Sequence, residues 1–178
     1  MAKRLVISAS PRAMGKCARA AKDLAKIIEK VYPHDFVEIL RLSELDIHYC
    51  TGCNTCEADH ECFMEDGMQT VLASLETTDV LYIVSPIYFA GPPANYKAML
   101  DRFQPFFWTW EAGKPRRPAV LIALGDGGDP YGYDPLIACT SSALSVAGFE
   151  LIQSYAYIDA SSADIAAELA DIILPDEV

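Results

Sequence analysis

Short apolar runs alternate along this chain with segments whose apolar residues recur every three or four positions, the rhythm of strands alternating with helices. Lys3–Ala9 is an apolar, β-branched run that ends in the loop sequence Ser8-Ala9-Ser10-Pro11-Arg12. Helical spacing then places Ala18, Ala21, Leu24, Ala25, Ile28 and Val31 on one face, and Pro33 ends that helix. Phe36–Leu42 reads as a second strand. A polar, cysteine-bearing loop follows from Ser43 to about Glu65, where Asp66 is placed to cap a helix with a buried stripe of Met68, Val71, Leu72 and Leu75.

Val80–Ser85 is almost wholly apolar, as a strand covered on both faces should be, and a helix from about Pro93 to Phe103 follows it. Ala119–Leu124 repeats the pattern and leads into a glycine-rich turn at Gly125–Gly132. A helix around Pro135–Ala147, a strand at Leu151–Ile158 and a last helix at Asp164–Leu174 complete the alternation. Five βα units without repeats or linkers predict an α/β fold with one doubly wound parallel sheet, spanning residues 1–178 as a single domain. Ligands of such sheets bind beyond the carboxyl ends of the strands, so the loops after the first, third and fourth strands are where chemistry is expected.

Composition narrows the function. With 178 residues, 52% of them hydrophobic, the chain can bury a core without staples. A formal charge of −11, with basic residues scattered except for Lys114, Arg116 and Arg117, argues against a nucleic-acid partner. Met1-Ala2-Lys3-Arg4 leads straight into a strand, and no apolar stretch reaches signal-peptide or membrane-spanning length. The expectation is therefore a cytoplasmic protein without a membrane partner. In that compartment the six cysteines are expected as thiols or metal ligands, not disulfides.

The first loop offers the hydroxyls of Ser8 and Ser10, the charges of Arg12 and Lys16, and the unpaired N–H groups of a helix start, a setting for a terminal phosphate. A nucleotide-hydrolysing P-loop would need glycine where Ser10 stands and a hydroxyl where Cys17 stands, which argues against that reading. Capping of the first helix is the plainer role for these serines. After the third strand, prolines stiffen Ser85–Pro93, and Tyr88 or Phe89 can pack against a flat heteroaromatic ring. After the fourth, Gly125, Asp126, Gly127 and Gly128 let bare backbone approach a ligand.

Cys50, Cys53, Cys56 and Cys62 have the spacing C-x2-C-x2-C-x5-C, and repeated two-residue gaps are a usual way to deliver thiolates to a [4Fe–4S] cluster. Structural zinc is the main alternative, with His60 available for a Cys3His site; a dithiol switch would need only one CxxC pair. Cys17 and Cys139 fall in predicted helices and are given no metal role.

Taken together, Ser8–Lys16, the four cysteines, Glu65-Asp66-Gly67-Met68, Ser85–Phe89 and Lys97–Arg102 resemble the iron–sulfur flavoproteins of the NADPH-dependent FMN reductase superfamily. The match runs through about Arg102 and fades afterward. It departs where relatives often carry Ser or Thr at Cys17 and a second Asp at Gly67. The resemblance implies a flavodoxin-like fold, with a five-stranded parallel sheet in the order 2-1-3-4-5 and helices on both faces. It also implies FMN and a [4Fe–4S] cluster. Ser8, Ser10, Arg12, Met14, Gly15 and Lys16 would surround the FMN phosphate, Pro86, Ile87, Tyr88 and Phe89 would border the ring, and Gly125–Gly128 would form the third flavin loop. Members resemble one another in forming dimers or tetramers in which the cluster of one subunit approaches the FMN of another. The aromatic run Phe103, Phe106, Phe107, Trp108 and Trp110 would suit such an interface. The function so implied is electron transfer between a ferredoxin-like carrier or NAD(P)H and an acceptor at the flavin. Two other readings are a cluster-free NAD(P)H-dependent FMN or quinone reductase with structural zinc, and a non-enzymatic redox-sensing flavin module.

Overall fold

Apolar side chains on alternate positions of a strand point to opposite faces, and here both sets are buried. Leu5 and Ile7 face one side of the sheet and Val6 the other, while Leu81 and Ile83 oppose Tyr82 and Val84. A computed structural model describes residues 1–111 and 113–169. Its strands are β1 (Lys3–Ser8), β2 (Phe36–Arg41), β3 (Val80–Pro86), β4 (Arg117–Gly125) and β5 (Phe149–Ile158). All pair in parallel, in the order β2-β1-β3-β4-β5, which is the flavodoxin-like order.

The helices are α1 (Lys16–Val31), α2 (Thr55–Asp59), α3 (Met68–Glu76), α4 (Ala94–Asp101), α5 (Gln104–Thr109), α6 (Asp134–Val146) and α7 (Ser162–Glu168). Leu24 and Ile28 of α1 and Ile165 of α7 pack on one face of the sheet. Val71 and Leu75 of α3, Tyr96 and Met99 of α4 and Leu144 of α6 pack on the other.

The predicted elements are present with shifted edges. Val31, expected on the buried stripe, is exposed at the last residue of α1. Leu42 leaves the sheet for a short 3-10 turn at Leu42–Glu44. The helix expected from about Pro93 to Phe103 is α4, which ends at Asp101; Arg102 and Phe103 are buried between it and α5, a short helix that was not expected. Gly148, at φ 81°, reverses the chain so sharply that β5 begins at Phe149 and not Leu151. For the last helix, the part of the expectation beyond residue 169 lies outside the described residues. The basic cluster near 114–117 also separates. Arg117 turns onto the carbonyls of Leu75 and Thr78, each at 2.7 Å, and lies 4.0 Å from the Phe149 ring centroid.

Candidate functional site

Parallel strands bring their carboxyl ends, and the loops that follow, to one edge of the sheet. After β1, the Ser10 hydroxyl accepts the Arg12 N–H at 3.1 Å and the Gly15 N–H donates to the Arg12 carbonyl at 3.2 Å, folding the loop onto the start of α1. A Cβ on Gly15 would stand 3.1 Å from that of Arg12, so the turn closes best around bare backbone. No side chain caps α1, which leaves its first N–H groups available beside two cations. Lys16 ties this loop to its neighbours: its ammonium lies 3.6 Å from Asp126 and donates to the Ala160 carbonyl at 3.4 Å.

A cavity of about 200 Å³ opens among Ser10, Arg12, Gly15 and Lys16 of this loop, Pro86, Ile87 and Tyr88 after β3, and Gly125 and Asp126 after β4. Ser8 is buried within β1 and Met14 projects into solvent, so neither belongs to this lining. Cys17 does. Burial pushes its thiol up to about 12, against the pull of Arg12 and Lys16, so at neutral pH it presents S–H and adds no negative charge.

A second cavity, of about 690 Å³, shares Ile87, Tyr88, Gly125 and Asp126 with the first and extends along Phe89, Gly127 and Gly128. Tyr133 and Ile158 form its far wall. Reciprocal backbone bonds between Tyr88 and Gly91, at 3.0 and 2.9 Å, close a tight turn whose two central residues, Phe89 and Ala90, both have positive φ. That turn holds the Phe89 ring wholly in solvent at its tip. Gly127 also has positive φ, at 82°, and a Cβ there would stand 2.9 Å from Ile158 Cγ2. Apart from Ser8 and Met14, the candidates of all three loops thus line two adjoining cavities. The contributions of Tyr157, Ala160 and Ile165 to the first and Tyr133 to the second were not foreseen; the carboxyl end of β5 was the available signal.

The cysteine loop builds a different site. Asn54 and His60 flank α2 in left-handed conformation, and Gly52 also has positive φ, so the segment curls back on itself. Cys50, Cys53, Cys56 and Cys62 all line one cavity of about 350 Å³, closed by Phe63, Met64, Arg102 and Pro105. The thiols feel one another: burial raises the Cys56 thiol, and the charges of Cys62, Cys50 and Cys53 raise it further. Cys53 is lowered instead, first by the Thr55 hydroxyl, which donates to its Sγ at 3.4 Å, and then by the Thr55 N–H. Among the described residues no three His, Cys, Asp or Glu side chains are arranged so as to hold a metal ion. His60 lines a separate depression that shares Cys62 with the four-thiol cavity.

Under this cavity lies a buried ion pair that sequence reasoning did not single out. Arg102 Nη1 donates to Asp66 Oδ2 at 2.7 Å and to the His48 carbonyl at 3.1 Å, and Nη2 donates to the Met64 carbonyl at 3.2 Å. Asp66 also accepts the N–H groups of His48, at 3.0 Å, and Met68, at 2.9 Å, so it caps α3 as expected. Burial works to raise the Asp66 carboxyl, but Arg102 and the two N–H groups outweigh it and hold the group below the usual carboxylate range. Burial opposes the Arg102 charge, while Asp66 and the nearby Cys62 sustain it.

The four-thiol cavity and the two loop cavities have no lining residue in common. The former is lined by Asp101 and Arg102 at the end of α4, whereas the latter lie by the loop that precedes its start. Of the aromatic run, Phe103 is core and Phe106 packs against it, while Phe107, Trp108 and Trp110 remain exposed.

The model of the NADPH-dependent FMN reductase family matches residues 2–160. An iron–sulfur flavoprotein of Archaeoglobus fulgidus is 35% identical over 101 residues, covering 56% of this chain and 44% of the relative. An iron–sulfur flavoprotein of Methanocaldococcus jannaschii is 30% identical over 123 residues, covering 68% and 62%. The chain thus spans about half the length of the curated relatives it matches. The solved structure of an FMN-dependent NADH-azoreductase from Bacillus anthracis, in complex with FMN, is 14% identical with a TM-score of 0.70, covering 95% of this chain and 94% of that one. That likeness establishes a common fold.

Proposed function

This chain belongs to the NADPH-dependent FMN reductase family, and from that premise we propose that it is an oxidoreductase holding FMN in the loop cavities and a [4Fe–4S] cluster on Cys50, Cys53, Cys56 and Cys62. When bound, the cluster would supply single electrons and FMN one or two, which suits a protein linking one-electron carriers to two-electron acceptors.

The residues suit these roles. Arg12, Lys16 and the uncapped start of α1 would hold the phosphate, with Lys16 exchanging its exposed contact to Asp126 for the stronger anion. Cys17, kept neutral, would not repel it. Ile87, Tyr88 and Tyr133 would flank the ring system, and Gly125 to Gly128 would admit it against bare backbone. The observation that carries the cluster reading is that all four thiols of the C-x2-C-x2-C-x5-C run line one cavity, which suits a polynuclear group held by several cysteines. Electrons are proposed to pass from the cluster of one copy of the chain to the FMN of another. That arrangement needs a homodimer or homotetramer, for which the exposed Phe107, Trp108 and Trp110 are available for contact. The electron source is proposed to be a ferredoxin-like carrier or NAD(P)H.

Anaerobically purified protein should show two resolved flavin bands over a broad shoulder, with iron and acid-labile sulfide near four each per chain if the cluster is a cubane, as proposed. In Cys53→Ser the shoulder should disappear and the flavin bands should stay. Zinc without sulfide would overturn the cluster assignment and favour a cluster-free reductase. Turnover assays with NADPH, NADH and reduced ferredoxin would then identify the donor, and failure with every donor would leave a flavin-binding module.

A further inference from the structure

Both ends of the cysteine loop meet on one guanidinium. Arg102 binds the His48 carbonyl just ahead of Cys50, and the Met64 carbonyl and Asp66 carboxylate just after Cys62. These contacts occupy Nη1 and Nη2. Its Nε, in contrast, is buried with no hydrogen-bond partner, although the side chain is only 1% exposed and the residue lines the four-thiol cavity. A buried donor left unmet is costly, and closing the loop does not need this one. Sulfur is what the cavity offers: Cys62 is the nearby thiol that helps sustain the guanidinium charge.

We propose that Arg102 is a positioning residue for the cluster, its two Nη groups fixing the ends of the cysteine loop while its Nε–H donates to a cluster sulfur, either the Cys62 thiolate or an inorganic sulfide. This rests on the four-thiol cluster proposed above. Reduction places more negative charge on those sulfurs, so a fixed donor stabilises the reduced form and raises the potential. Lysine keeps the positive charge but has no planar fork with a third donor, so Arg102→Lys separates the hydrogen bond from the charge.

The test begins with wild-type protein grown on arginine carrying 15N only at Nε, analysed for iron and acid-labile sulfide, then reduced and examined by pulsed electron paramagnetic resonance. A 15N coupling to the reduced cluster is expected. Loaded protein without that coupling would overturn the role of Arg102 and leave the cluster reading standing, whereas protein without iron and sulfide would overturn both. In Arg102→Lys that retains FMN and cluster, the cluster midpoint should move to lower potential with the flavin midpoint unchanged. An unmoved cluster midpoint would overturn the proposal. Should this variant fail to load its cluster, the labelled wild-type protein still decides.

Discussion

Phe89 has φ 49° and Ala90, the next residue, φ 61°, a pair of left-handed conformations at the tip of the turn after β3. A side chain with a Cβ pays about 1–2 kcal/mol for that backbone, and asparagine pays less because its short amide is tolerated there. The fully exposed Phe89 ring recovers none of the cost by burial within the chain. Its retention is intelligible if the ring packs on the proposed flavin or on a second subunit, with strain held at a functional position. Phe89→Asn should therefore stabilise the flavin-free protein by up to about 1 kcal/mol in urea denaturation. The same variant should bind FMN more weakly by fluorescence titration. Unchanged FMN affinity would assign the turn to protein contacts alone. Gly127 makes the complementary case: with φ 82° and Ile158 Cγ2 2.9 Å from any added Cβ, Gly127→Ala should reduce both stability and FMN retention.

At the scale of elements, the strands and main helices were legible because burial on both faces writes long apolar runs, as in Val80–Ser85, and α1 carries a clear inward stripe of Leu24, Ala25 and Ile28. The cysteine loop was legible in its cysteines but not in its architecture. Its helix α2 is bounded by Asn54 and His60 in left-handed conformation; Asn54 is a usual N-cap residue, but His60 does not announce the C-terminal end as glycine would. The guanidinium that closes the loop sits at the end of α4, and an arginine there reads as an ordinary exposed cation until the fold brings Asp66 to it. That pairing makes a testable statement about pH. The side chains are 1% and 4% exposed, so breaking the pair in Asp66→Asn should cost about 3–5 kcal/mol near neutrality. Because the folded Asp66 carboxyl is held below its unfolded value, the stabilisation is complete above the ordinary aspartate pKa of about 3.9 and fades as pH falls through the lower folded value. The stability difference between wild type and Asp66→Asn, followed by urea denaturation across the acid range, should shrink toward zero there. A difference independent of pH would mean that shape, and not charge, fixes the loop.

For the whole molecule, the net charge of −11 bears on how the proposed electron carrier would reach it. Among the described residues, several cations are already engaged: Lys3 with Glu38 at 2.8 Å, Arg4 with Asp35 at 2.8 Å, and Arg102 with Asp66. Bound FMN phosphate would add further negative charge. The long-range field is therefore repulsive to an anionic carrier and attractive to a cationic one, with steering set by the Debye length, about 30 Å at 0.01 M salt and about 8 Å at 0.15 M. If an acidic one-electron carrier is the physiological donor, its reduction of the protein in stopped-flow should quicken as salt rises over that range. A basic carrier of similar size should slow. Contact with the proposed cluster site adds no sign change, since Asp101 at that cavity is matched by Lys97 and Arg102 by Asp66, leaving the distant charge in control. An acidic carrier that instead slows with salt would require a local cationic docking patch strong enough to overcome the molecule's field, and Arg116 with Lys114 would be the first residues to replace by glutamine in locating it.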